Sequence, residues 1–170
     1  MIETKRLVIK PLTYEQLIKY IRLDNSLEKE LNLNRSNRTI SPELREALEK
    51  TILPAVADKN KNYLYNTLWT IISKEDGKMV GDLCFTGDPD AAGEIEIGYG
   101  TYEIFRRRGY MAEAVGGIIN WAKNQPDIRS ILASTEKSNI ASYSVLEKNS
   151  FIKVGETETL FQWKLNLKIQ

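Results

Sequence analysis

Apolar and polar positions form short blocks along this chain, and the spacing within each block predicts a secondary structure. Strand-like patterns cover residues 4–10, 68–73, 79–86, 94–99, 128–135, 151–154 and 160–167. Helical spacing covers residues 14–23, 27–33, 42–57, 109–123 and 139–148. The order β-α-α-α-β-β-β-α-β-α-β-β mixes hairpins with crossover helices. It therefore predicts an α/β (α+β) protein with a mixed sheet and helices on both faces.

Short polar motifs indicate where some of these elements begin or turn. Thr13 is followed three residues later by Gln16, which is the pattern of a capping box before the first helix. Ser41 and Pro42 combine a capping hydroxyl with proline at the first helical position. An Asp-Gly pair at residues 76–77 is typical of a hairpin turn.

Length and charge limit the class of protein. A chain of 170 residues suits a single domain, residues 1–170, and 42% hydrophobic with 28% charged residues is typical of a soluble globular protein. The formal net charge is +1, which gives no reason to expect nucleic acid or a membrane surface as the main partner. The first residues lack the apolar core of a secretory signal, so we expect a cytoplasmic protein.

The residue inventory excludes several kinds of chemistry. The sequence contains no histidine, so Ser-His-Asp and Cys-His machinery cannot form. Cys84 is the lone cysteine, and we expect no metal site because one cysteine cannot supply the ligands of a tetrahedral zinc centre. Cys84 lies in a strand pattern, so a small core residue is a better interpretation than a nucleophile.

The strongest chemical feature is a strand, a basic loop and a helix in succession over residues 94–123. Arg106–Arg108 and Gly109 directly precede the helical pattern. A helix start presents unpaired N–H groups and partial positive charge, which favour a pyrophosphate, and glycine allows close approach of the backbone. A solvated arginine cluster is the alternative. Neither a Walker loop nor a three-glycine dinucleotide motif is present.

Several stretches resemble one known family. Residues 106–114, RRRGYMAEA, resemble the acyl-CoA pyrophosphate motif Q/R-x-x-G-x-G/A of the GNAT superfamily of N-acetyltransferases. Residues 94–99 are similar to the strand before that motif, and residues 139–151 to the later N-x-x-S…V-L-E-K-x-G-F segment. The opening residues 3–12 resemble the branch that includes the ribosomal-protein N-terminal (Rim-type) acetyltransferases.

The resemblance implies an acyl-CoA N-acyltransferase fold, with a mostly antiparallel sheet of about six to seven strands. It implies direct transfer of an acetyl group from acetyl-CoA to a primary amine in a ternary complex. The acceptor remains open between a protein N-terminus, a polyamine, an aminoglycoside and an amino acid, and a homodimer is compatible with it. A non-catalytic acyl-CoA-binding module is the alternative function. The implied cofactor positions are Ile97, Gly98, Tyr99, Arg106, Arg107, Arg108, Gly109, Tyr110, Met111, Ala112, Asn139 and Ser142.

Three positions depart from the family pattern. Met111 stands where glycine or alanine is usual, although its backbone N–H can still bind. Ser150 replaces a glycine before the sixth family strand. Leu146 occupies the place where many members carry a catalytic tyrosine, which moves the acid role elsewhere.

Acyl transfer needs a base for the amine, donors for the oxyanion and an acid for the thiolate. Strand alternation places Glu94 and Glu96 on one face, and we favour Glu96 as the base with Glu94 second. A backbone N–H near Gly98 or Tyr99 is the expected oxyanion donor, at a bulge that the resemblance implies.

Ser142 is the acid candidate that the resemblance implies, with a hydrogen bond in the first helical turn as the alternative role. The resemblance also implies that Asn139 binds the pantetheine arm. A simple helix cap explains Asn139 equally well, and the two roles are compatible only if Ser138 makes the cap.

Overall fold

The computed structural model describes residues 1–167, and its strands and helices alternate much as the pattern predicts. The strands are β1 (Ile2–Glu3), β2 (Leu7–Pro11), β3 (Leu68–Ser73), β4 (Lys78–Phe85), β5 (Glu94–Thr101), β6 (Ser130–Glu136), β7 (Ile152–Glu156) and β8 (Leu160–Asn166). The helices are α1 (Tyr14–Arg22), α2 (Ser26–Glu30), α3 (Pro42–Ala47), α4 (Leu53–Ala57), α5 (Tyr110–Ala122) and α6 (Ile140–Lys148). Short 3-10 turns cover Tyr63–Tyr65 and Glu103–Phe105.

All eight strands belong to one sheet in the order β1-β2-β3-β4-β5-β6-β8-β7. Every neighbouring pair is antiparallel except β5 and β6, which are parallel. The mixed, mostly antiparallel sheet is thus confirmed. The expected strand count was slightly low because β1 pairs over two residues only, which is too short for a pattern of alternation to reveal.

Helices pack on both faces of the sheet, as predicted. Against one face, α5 and α6 bury side chains such as Ile118 and Leu146 in a cluster that includes Trp69 and Ile97. Against the other face, α1 and the segment around Leu48 form a second cluster. Within residues 1–167, no helix is both long and apolar enough to cross a bilayer.

The helix starts follow the capping signals. The side chain of Thr13 accepts a hydrogen bond from Gln16 N, and the Gln16 side chain accepts one from Thr13 N, so the capping box is complete. Ser41 caps α3 in the same way. The disturbance expected from Pro54 takes the form of a π-helical turn at Leu48–Ile52, because proline cannot donate a backbone hydrogen bond into the preceding turn. The helix predicted over residues 27–33 is shorter than expected and ends at Glu30.

The most important feature of the sheet is the divergence of β5 from β6. The two strands pair only from Glu94 opposite Ser130 to Glu96 opposite Leu132. Beyond that point β5 continues to Thr101 along β4, while β6 continues along β8. A gap therefore opens in the middle of the sheet after Glu96.

The divergence does not need the bulge that the family resemblance implies. The pairing of β4 with β5 runs without a register shift from Phe85 opposite Ile97 to Gly81 opposite Thr101. The bulge expected near Gly98 or Tyr99 is therefore not found in this chain. The strand β5 is regular there, and β6 simply leaves its edge.

Candidate active site

The loop before α5 has the backbone geometry of an anion site. Arg107 and Gly109 both lie in the left-handed region, with φ of 65° and 76°. Gly109 caps α5 without a side-chain hydrogen bond, and the first bond into the cap runs from Glu113 N to Gly109 O at 3.2 Å. The first N–H groups of α5 therefore have no helical acceptor, whereas Arg106 N already donates to Glu103 O.

The three predicted arginines surround this loop and are exposed. Arg106 Nε donates to the carbonyl of Thr101 at 3.2 Å, which ties the loop to the end of β5. The Arg108 guanidinium lies 5.4 Å from the centre of the Phe105 ring. The arginines thus add positive charge beside the helix start without blocking it.

Arg6 fixes this loop from the amino-terminal segment, a role that the sequence analysis missed. Its Nε pairs with Glu113 Oε1 at 2.7 Å, and its Nη1 donates to Arg108 O at 2.9 Å. Its guanidinium also lies over the Tyr110 ring at 4.7 Å. Burial alone would raise the pKa of Glu113, but hydrogen bonds from Thr4 and Arg6 lower it, so this carboxylate stays charged.

The structure explains how Met111 and Ser150, two of the positions that depart from the family pattern, are accommodated. The side chain of Met111 is 6% exposed, and its terminal methyl carbon would lie 3.4 Å from a Cβ placed on Gly81. The methionine thus packs into the core and leaves the loop surface clear. Ser150 has φ of 67°, which explains why glycine is usual there in the family.

The two candidate base residues have different surroundings. Glu94 pairs with Lys164 at 2.7 Å and accepts a longer hydrogen bond from Ser130 Oγ at 3.4 Å. The Glu96 carboxylate has no ion-pair or hydrogen-bond partner among residues 1–167. Glu96 is also the last β5 residue paired with β6, so it lies where the gap opens.

The backbone of β5 offers donors to this gap. Glu96 O accepts from Thr86 N at 3.0 Å and therefore faces β4. Backbone groups alternate in direction along a strand, so those of Ile97 and Tyr99 face the gap that β6 leaves. Of the two expected oxyanion donors, this direction favours the N–H of Tyr99 over that of Gly98.

The start of α6 lies across the gap from β5. Asn139 caps the helix, and its Oδ1 accepts from Ser142 N at 3.1 Å. Tyr99 Oη donates to Ser142 O at 2.8 Å and lies 3.5 Å from Ser142 Oγ. The predicted residues Tyr99, Asn139 and Ser142 are thus brought together. Asn139 rather than Ser138 makes the cap, so the condition under which Asn139 could take both roles is not met for its Oδ1. Only its amide nitrogen is left for the predicted pantetheine contact.

A cavity of about 750 Å³ lies on the face of the sheet that carries Glu94 and Glu96. Its floor is formed by β4 and β5, at Asp82, Cys84, Gly98 and Gly100. Residues 36–41 form the opposite wall, and the turn that ends at Arg106 forms one end. The cavity therefore extends from the part of β5 just beyond the divergence, at Gly98 and Tyr99, to the edge of the basic loop at Arg106.

Asp82 is the main functional candidate that sequence reasoning missed. The side chain is 7% exposed, and its Oδ2 accepts hydrogen bonds from Tyr20 Oη at 2.5 Å and from Tyr102 Oη at 3.1 Å. Burial raises the pKa of Asp82 to about 6, although these hydrogen bonds and the charge of Arg38 oppose the shift. No local signal could have identified it, because its partners lie 62 and 20 residues away.

Cys84 behaves as the core residue that the sequence suggested. It is half-buried beside the second hydrophobic cluster, and burial raises the pKa of its thiol to about 11. A thiol with that pKa is protonated at neutral pH and is a poor nucleophile.

Comparison with known proteins places this geometry in a family. The acetyltransferase (GNAT) domain family matches residues 6–152. The chain is 32% identical over 163 residues to an uncharacterized N-acetyltransferase, YjdG, of Bacillus subtilis strain 168, covering 96% of each protein.

Solved structures show the same fold at low identity. One is RimL, a ribosomal L7/L12 alpha-N-protein acetyltransferase in complex with coenzyme A, with a TM-score of 0.67, 17% identity and coverage of 96% of this chain and 95% of that one. Another is a spermidine N-acetyltransferase from Vibrio cholerae in complex with CoA and spermine, with a TM-score of 0.65, 11% identity and coverage of 96% and 97%.

The chain therefore belongs to the GNAT acetyltransferase family and is an acyltransferase. Transfer of an acetyl group to an amine nitrogen is the general reaction of this class. Among the described residues, no group of three or more histidine, cysteine or acidic side chains is arranged to hold a metal.

Proposed function

We propose that this protein transfers an acetyl group from acetyl-CoA to a primary amine by direct attack within a ternary complex. The observation that carries the proposal is the gap between β5 and β6, which opens after Glu96 beside the free helix start at Gly109. In this proposal the pyrophosphate binds at the loop before α5, and the pantetheine arm lies along the edge of β5 that β6 leaves unpaired. These features support acetyl-CoA as the co-substrate, as does the CoA bound in two structural neighbours.

The proposed cofactor contacts divide between backbone and side chains. Residues 107–112 offer N–H groups to the pyrophosphate, while Arg106–Arg108 offer charge. Ile97 and Tyr99 face the arm with their backbone groups, and Asn139 meets it from α6. The acceptor enters from the other face of the sheet, the face covered by α1 rather than by α5 and α6. It passes through the cavity that Gly98 and Gly100 line.

The proposed chemistry uses one carboxylate and one hydroxyl. Glu96 removes a proton from the amine, directly or through water, because its carboxylate is uncommitted at the point where the gap opens. The N–H of Tyr99 stabilises the oxyanion of the tetrahedral intermediate. As the amine nitrogen bonds to the acetyl carbon and the C–S bond breaks, Ser142 Oγ gives a proton to the leaving thiolate and regains one from water. Tyr99 Oη, which lies 3.5 Å from Ser142 Oγ, holds that hydroxyl beside the gap.

Replacing Glu96 by Gln should lower kcat by about 100-fold or more, while the affinity for coenzyme A stays nearly unchanged. The reason is that glutamine keeps the shape of the side chain but cannot accept the proton. Initial rates with acetyl-CoA and a panel of primary amines, beside calorimetric titration of coenzyme A, measure both quantities.

Glu94→Gln is the matched control, since it removes the neighbouring carboxylate on the same face. It should retain most of the turnover. It loses the half-buried ion pair with Lys164, whose contribution to stability is small, while the amide oxygen can still accept from Ser130. Equal turnover by wild type and the Glu96 variant would remove Glu96 as the base. Tight CoA binding by the wild type, with no turnover on any amine, would instead support the non-catalytic binding module.

Replacing Arg6 by Ala should weaken coenzyme A binding by about tenfold, with kcat at saturation largely retained. Arg6 holds the carbonyl of Arg108 and the carboxylate of Glu113, so its loss should free the loop to move. Calorimetry gives the affinity and steady-state rates give kcat.

Arg45→Ala is the matched control because Arg45 also pairs with a glutamate and donates to a backbone carbonyl, but far along the chain at α3. It should leave CoA affinity unchanged. Equal affinities in the two variants would show that the loop keeps its geometry without Arg6.

A further inference from the structure

The cavity floor contains a buried carboxylate oxygen that has no partner. Asp82 Oδ2 is occupied by the two tyrosine hydroxyls, but Asp82 Oδ1 is buried without a hydrogen bond. Thr70, which lies opposite Asp82 in the β3–β4 ladder, also has a buried hydroxyl without a partner. Thr70 does not line the cavity, whereas Asp82 does. Buried polar groups in native proteins are nearly always satisfied, so the unpaired oxygen of Asp82 points to a polar ligand.

The charges around Asp82 leave a net negative site. Arg38 lies on the cavity wall with a side chain that is 2% exposed, and its Nη2 pairs with Glu28 at 3.1 Å, while its Nε is buried without a partner. The charges of Arg38 and Glu28 cancel each other. Tyr20 and Tyr102 are neutral donors, because burial raises the pKa of both hydroxyls. Ionised Asp82 is therefore the uncompensated charge, and a cation is the ligand that would balance it.

The position of Asp82 separates it from the proposed site of acetyl transfer. Cys84 faces Gly98 across the strand pair, whereas Asp82 faces Gly100, two residues further from the point where β5 and β6 diverge. Glu96, the proposed base, lies four residues before Gly100 along β5, which corresponds to about 13 Å. A nitrogen bound by Asp82 is thus not the nitrogen that Glu96 deprotonates, but both nitrogens can belong to the same small molecule.

From these observations, and resting on the proposed function above, we propose that Asp82 binds a second cationic nitrogen of the acceptor, distinct from the nitrogen that is acetylated. The ammonium donates to Asp82 Oδ1 from the cavity. The ring of Tyr102 lines the cavity beside the same carboxylate. The acceptor class is therefore an amine with at least two basic nitrogens separated by a short flexible chain.

The test uses the full chain saturated with coenzyme A, so that binding of coenzyme A itself is established first. Diaminoalkanes from diaminopropane to diaminohexane are titrated by calorimetry, each beside the monoamine of equal chain length. At least one diamine should bind the wild type about tenfold more tightly than its monoamine, and Asp82→Asn should abolish that difference. Failure of coenzyme A to bind would defeat the proposed function, whereas binding of coenzyme A without a preference for any diamine would defeat this inference alone.

Asp127→Asn is the control for losing a tyrosine–aspartate hydrogen bond, since Tyr65 Oη donates to Asp127 Oδ1 at 2.7 Å outside the cavity. It should keep the diamine preference. A diamine preference that survives in Asp82→Asn would overturn the assignment.

The pH dependence provides a test in proteins that retain Asp82. The charged carboxylate binds the cation, so diamine affinity of the wild type should rise as pH rises through about 6, the pKa to which burial shifts Asp82. Tyr102→Phe removes a hydrogen bond that stabilises the charged form, so it should move this rise to higher pH while monoamine binding is unaffected. An unchanged pH profile in that variant would also overturn the proposal, even if Asp82→Asn fails to fold.

Discussion

Replacing Gly109 by Glu should weaken binding of coenzyme A by at least about 100-fold, the largest effect that we expect from one substitution in this protein. Two physical causes contribute to this loss of affinity. The φ of 76° at Gly109 is a conformation that glycine adopts freely but that costs other residues about 1–2 kcal/mol. The new carboxylate would also lie among the N–H groups proposed to bind pyrophosphate, where it would repel the ligand and compete for the same donors.

Calorimetric titration of coenzyme A into the folded variant measures this loss. Gly87→Glu is the matched control, because Gly87 also has positive φ, at 124°, and lies beside Asn66 rather than the basic loop. That control should bind coenzyme A as the wild type does. Micromolar affinity in the Gly109 variant would mean that the cofactor does not contact this helix start, and the proposed function would then lose its main support.

Replacing Gly81 by Ala should lower the free energy of unfolding by about 3 kcal/mol, the upper part of the range for overpacked sites. A Cβ at Gly81 would lie 2.6 Å from Gly100 O and 3.2 Å from Thr101 Cα, and both of these are backbone atoms. Relief therefore requires β4 and β5 to move apart. The displacement would reach the loop as well, because Thr101 O accepts the hydrogen bond from Arg106.

Urea unfolding measures the loss of stability, and Gly100→Ala provides the control. A Cβ on Gly100 would meet no atom within 4 Å, although Gly100 lies in the same strand pair. Its stability should therefore remain within about 1 kcal/mol of the wild type. Equal stability of the two variants would show that the strand pair can adjust to a methyl group at Gly81.

The sequence predicts most of this fold because its signals are local. The capping residues Thr13 and Ser41 act within one helical turn, and the Asp-Gly pair at residues 76–77 acts within one hairpin. Alternation correctly places Glu94 and Glu96 on one face of β5. The basic loop was identifiable because its arginines and Gly109 are adjacent along the chain.

The parts of the site that could not be predicted depend on contacts between distant segments. Arg38 lies in a polar stretch that suggests a surface loop, yet it is buried because Glu28 pairs with it and the Tyr20 ring lies 4.4 Å below it. In the sequence, Asp82 looks like any polar residue of a half-exposed strand. Its special surroundings arise only in the fold, where α1 places Tyr20 against it. Arg6 lies 107 residues from Glu113, and no periodicity links two such positions.

The contacts of Arg6 also join two parts of the chain into one cooperative unit. The first hairpin, β1 and β2, cannot open without releasing Glu113 and the carbonyl of Arg108. Local unfolding of the amino-terminal segment therefore also releases the basic loop, so the two are energetically coupled. Because such coupling is reciprocal, a ligand that orders the loop must stabilise the hairpin by the same free energy with which the hairpin strengthens the binding of that ligand.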